Sequence, residues 1–134
     1  MGARPEDDLF LRVEYDGEIA SNGATYARAR QDFAVLSGTH QSVELMETFL
    51  KSEHKPDASF EAAVNSALDA WSVGHMVLQA SEANDLPPRD AIAQHRQEQL
   101  AIVAIEAAVL ERDSKRPIRY RPLADKELRS IISR

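Results

Sequence analysis

The amino-acid sequence predicts an α+β fold: an antiparallel sheet with two long helices packed on one face, in the order βββαα(α)ββα. Three observations carry this. Apolar residues alternate with period two before residue 38, and they recur every three or four residues between 40 and 80. Alternation then returns ahead of a short amphipathic end. Strands grouped apart from helices imply a helical layer on an antiparallel sheet. The 134 residues, 43% of them hydrophobic, suffice for one packed core, so a single domain over 1–134 is expected.

The first element is the run LFLRVEY at 9–15, which sets Leu9, Leu11, Val13 and Tyr15 on one side of an extended segment. Asp16-Gly17 then supplies the positive-φ turn that joins paired strands. Asn22-Gly23 is a second turn signal, and the stretch ATYARARQDFAVLSG continues as a strand ending near Gly38. The first 38 residues therefore read as an antiparallel meander.

After Gly38-Thr39 the period changes. Val43, Met46, Phe49 and Leu50 mark one face of a helix over about 40–53, with Glu44 and Glu47 opposite. Pro56 breaks it. Ser59 is a suitable N-cap, Glu61 favours the first turn, and Phe60, Ala63, Val64, Ala67, Leu68, Trp71 and Leu78 form the apolar stripe of a helix over about 59–80. The stripe predicts Trp71 to be core.

Residues 81–99 are polar, with Pro87-Pro88 followed by good helix formers from Asp90; they predict a loop and a short exposed helix inserted in the domain. LAIVAIEAAVLERD is ambiguous by composition. Its alanines favour helix, while Ile102, Val103, Ile105 and Val109 suit a buried strand. RPIRYRPL reads as a strand between prolines, and DKELRSII as a closing helix presenting Leu128, Ile131 and Ile132.

Net charge is −6, unevenly spread: residues 112–134 carry +5 and residues 1–111 carry −11. Arg119 and Arg121 alternate with Ile118 and Tyr120 as the wet face of a strand would, so nucleic acid is not the expected partner. No stretch has the roughly 18 consecutive apolar residues of a membrane helix, and MGARPEDDLF has charges where a secretory signal is apolar. The absence of cysteine removes disulfides and thiolate chemistry. A cytoplasmic protein, without a membrane partner, is expected.

Signals for chemistry are sparse. His40, His54, His75 and His95 form no HExxH or i,i+4 pair, so they predict ordinary histidines and no metal site. Asp7-Asp8 lie in a solvated stretch without a neighbouring base. No catalytic, cofactor-binding or metal-binding residue is expected.

The element order and several of its words resemble the C-terminal half of a 20S proteasome α-type subunit, of the N-terminal-nucleophile hydrolase fold family. The words are the Asp16-Gly17 turn, Phe49-Leu50, the series Asp57, Ser59, Glu61, Ala63, and the segments IEAAVLERD, RPIRYRPL and DKELRSI. The likeness runs from about residue 9 to 134 except for 81–99, and it is more like bacterial examples. It implies a strand at IEAAVLERD and half of an αββα sandwich. Ala124 stands where the family usually has a capping Ser or Thr. Catalytic relatives use an N-terminal threonine whose own amine is the base. Thr39 follows Gly38 as such processing requires, but it begins a helix by period, so it is expected to cap that helix instead.

The resemblance implies a non-catalytic structural domain of a protein-degradation particle. It would assemble with itself or with other proteasome-like subunits and need no cofactor. Because family subunits carry a further N-terminal half, the chain is expected to be a cut or naturally reduced relative. Two alternatives remain open: a fragment of an N-terminal-nucleophile hydrolase whose nucleophile lies on the absent half, and a free-standing adaptor domain.

Overall fold

A computed structural model describes residues 32–80 and 85–132, together with two short strands near the N-terminus. The chain is α+β, and its described residues form four helices and two separate antiparallel strand pairs. Strand β1 (Arg12–Val13) pairs with β2 (Ile19–Ala20), placing Arg12 opposite Ala20 and Val13 opposite Ile19. The turns at Asp16-Gly17 and Asn22-Gly23 lie outside the described residues.

Residues 33–37 belong to no strand, although burial alternates along them: Phe33 and Val35 turn inward while Ala34 and Leu36 are exposed. The expected third strand is thus not formed over this stretch. Its inward side chains pack on helices, and no strand lies beside it among the described residues.

Helix α1 (His40–Glu53) begins at Thr39, whose hydroxyl accepts from Ser42 N–H while the Ser42 hydroxyl accepts from Thr39 N–H, a reciprocal capping box. It ends at His54, ahead of Pro56. Helix α2 (Phe60–Gln79) is capped by Ser59, which accepts from Ala62 N–H at 3.2 Å. Helix α3 (Arg89–Leu100) follows the proline pair without a side-chain cap. The ambiguous stretch leaves helix at Leu100 and becomes strand β3 (Ala108–Leu110), paired with β4 (Tyr120–Pro122). Both strands are short, since Pro117 and Pro122 remove ladder donors from the second one.

Helix α4 (Asp125–Ile132) starts after Ala124, and the Glu127 carboxylate accepts from Ala124 N–H. That is the reciprocal half of a capping box, so the missing Ser or Thr leaves one donor uncapped rather than two.

Helix α1 packs on α2, and α2 packs on α3 and α4. The core joins Phe49 and Leu50 to Ala70, Val73, Val77 and Ile92. The buried face of α2 is therefore centred on Ala70, Val73, Gly74 and Val77, a register shifted from the stripe through Phe60, Trp71 and Leu78, of which Phe60 is 41% and Leu78 45% exposed. Closeness accompanies the shift: a Cβ on Gly74 would lie 2.4 Å from Met46 Sδ, so glycine gives the Met46 side chain its room where the two helices meet. A single sheet beneath both long helices is not present among the described residues; the long helices bury their faces on one another.

Candidate functional site

The Thr39 hydroxyl is occupied as the cap of α1, and Ser42 Oγ lies 2.7 Å from Ser37 Oγ and 2.8 Å from the Thr39 carbonyl oxygen. This hydroxyl cluster is closed by its own hydrogen bonds and has no imidazole or amine in it. His40 is exposed beside Glu44 at 3.1 Å, and His54 meets the Phe33 ring edge-on at 5.8 Å. Asp7-Asp8 lie outside the described residues.

The other two histidines come together. Packing of α3 on α2 brings His75 Nδ1 and His95 Nε2 to 2.9 Å, with ring centroids 5.0 Å apart. Trp71 lies one turn before His75 and stacks on it, 5.2 Å between centroids and 9° between planes. Gln79, one turn after it, places its amide nitrogen 3.4 Å from His75 Nε2. Trp71 is half-buried and covers this pair, and does not enter the core. Residues 71, 75 and 79 share one stripe of α2, which is why a single helix supplies three of the four side chains.

Nearby, Arg96 donates to Asp69 at 2.9 Å and to the Asn65 side-chain oxygen. Burial holds His95 below the ordinary imidazole value, the His75 charge adds to this, and the Glu98 carboxylate opposes it. His95 Nδ1 is buried without a hydrogen-bond partner. The only side chains hydrogen-bonded to the pair among the described residues are its own members and Gln79, so the cluster can hold or pass a proton but presents no nucleophile.

The strand pair offers a second arrangement. Arg121 donates through Nε to Glu111 at 2.8 Å and through both terminal nitrogens to Glu127 at 2.8 and 3.2 Å, tying the hairpin to α4. These bonds hold the Glu127 carboxyl below its usual range. Arg119 is exposed, as expected of the wet face, while Arg121 is half-buried along two carboxylates; their apolar neighbours also point out, with Ile118 73%, Tyr120 59% and Leu110 58% exposed. Leu110 pairs across the ladder with Tyr120 and Ala108 with Pro122, so these four share one outward face.

An open cavity of about 440 Å³ lies between the end of α3 and α4, lined by Leu100, Val103, Ile105 and Leu128 with Asp125 and Arg129 at its rim. Among the described residues, no group of three or more His, Cys, Asp or Glu is arranged to hold a metal ion, and no helix is long and apolar enough to cross a membrane. No protein-family model matches the chain, and neither a curated protein nor a solved structure matches it.

Proposed function

We propose that this chain is a non-catalytic structural and interaction domain of the proteasome α-type kind, assembling with copies of itself or with related subunits. The observation that carries this reading is the outward apolar face of the β3–β4 hairpin: Ala108, Leu110, Tyr120 and Pro122 in register, with Ile118 beside them. A two-stranded ribbon is marginal alone, and an exposed apolar face on it favours a covering partner layer. Half of an αββα sandwich has such a face where its sheet meets the other half. The charge asymmetry supports pairing between copies, because strand β4 of the hairpin lies in the +5 segment 112–134 of a chain whose residues 1–111 carry −11.

Replacing the face with charge tests this. L110D/Y120D is expected to dissociate the assembly while leaving helix content by circular dichroism unchanged. An unaltered assembly mass would remove the hairpin from the interface and the main support for this reading with it.

A further inference from the structure

We propose that the His75–His95 contact is a proton-operated latch: it fixes α3 on α2 when the pair carries at most one proton and releases α3 when both rings are protonated. The geometry requires it. His75 Nδ1 and His95 Nε2 face each other at 2.9 Å, a separation at which one nitrogen must donate and the other accept. One added proton preserves that contact as a charge-assisted hydrogen bond. The second proton leaves two donors and two positive rings face to face.

A separate observation points the same way. His95 Nδ1 is buried with no partner, so the neutral tautomer that suits the site carries its hydrogen on Nε2, directed at His75 Nδ1. The His75 Nε2 hydrogen then meets the Gln79 amide, whose oxygen serves as acceptor in the flipped orientation. The first added proton can keep the contact only by placing an N–H at the unpartnered His95 Nδ1, so burial already weakens the singly protonated pair, and the second proton then sets two donors against each other.

Helix α3 is a fitting element to release. It buries only Ile92, and its other residues are exposed or half-buried. Its other ties are Arg96 to Asp69 and Asn65 of α2, and Arg89 to Glu53 at the end of α1. The charged groups around the pair are Asp69 on α2, Arg96 and Glu98 on α3, and the Glu53–Arg89 pair at α1; α4 presents apolar Ile132 beside Arg96. Glu98 favours protonated His95, while burial and His75 oppose it, so the opening proton is taken up below the ordinary value of 6.5. The latch is closed above that value and opens as pH falls through the lowered one.

The test is hydrogen exchange of the whole chain, corrected for intrinsic rates, at about pH 7.5 and about pH 5.5, a window that leaves carboxylates ionised. Protection of the α3 amides is expected to fall by about tenfold at the lower pH, with the amides of α1 unchanged. H95Q, which keeps a polar side chain but cannot titrate, is expected to lose the pH step, and H54Q to retain it. Equal α3 protection at both pH values in the unsubstituted chain overturns the proposal, and so does a pH step that survives in H95Q. Should H95Q not fold, imidazole nitrogen shifts of the unsubstituted chain decide the matter. Uptake of the second proton must coincide with loss of α3 protection, and two separate transitions refute the latch.

Discussion

The close approach of α1 and α2 at Gly74 makes a quantitative prediction. Gly74→Ala adds one methyl in the middle of a helix, which by propensity alone stabilises by about 1 kcal/mol. Here the new carbon would lie 2.4 Å from Met46 Sδ and 3.0 Å from Met46 Cγ, and Met46 is only 7% exposed, so the thioether must be displaced. Overpacking of this kind costs about 1–3 kcal/mol, so the net result in the natural background is a loss of about 1 kcal/mol. Met46→Ala removes the obstructing atoms. Although that change is itself destabilising by about 2–5 kcal/mol, adding G74A to it should restore the propensity gain of about 1 kcal/mol. The two substitutions thus couple by about 2 kcal/mol, measured by urea unfolding of the two single variants and the double variant followed by circular dichroism. If G74A stabilises the natural chain, or has the same effect with and without Met46, the helices do not meet as described.

Other consequences are read the same way. Ser72 is fully buried and its hydroxyl has no hydrogen-bond partner, so S72A should raise stability by about 1 kcal/mol in urea unfolding; a loss would reveal a partner for the hydroxyl. T39A removes the cap of α1 and should cost about 1 kcal/mol, whereas T39S, which keeps the hydroxyl, should cost much less. Glu127 is held below the ordinary glutamate value of 4.5, chiefly by Arg121, so its ionised form stabilises the docking of α4. That contribution is present above 4.5 and lost as pH falls through the lowered value; methyl spectra of Leu128 and Ile131 should show the step, and E127Q should abolish it.

The helices were legible because their signals are local. Thr39 and Ser59 cap where expected, Pro56 and the proline pair punctuate, and the three-to-four spacing of Val43, Met46, Phe49 and Leu50 gives the buried face of α1. For α2 the stripe was only partly right: Leu68 is buried, but periodicity counts large apolar residues, while the close approach is at Gly74 beside the buried Ala70, small residues that carry little apolar weight. The orientation of β4 was hidden for a different reason. Arg121 alternates like a solvent-facing residue, and only the positions of Glu111 and Glu127 show that it ties the hairpin to α4. The histidine pair joins residues from two helices, a juxtaposition that no spacing within one helix reveals. Its one sequence trace is the i, i+4, i+8 series Trp71, His75, Gln79, which marks a polar-aromatic stripe awaiting another helix.

The central claim is that this chain acts by assembly, and the most direct measurement is its solution mass by light scattering coupled to size exclusion across a range of concentrations. A defined oligomer is predicted, weakening with salt as the charge asymmetry between the C-terminal end and the rest of the chain requires. A strict monomer at every concentration, with the Leu110–Tyr120 face still open to solvent, would contradict the account.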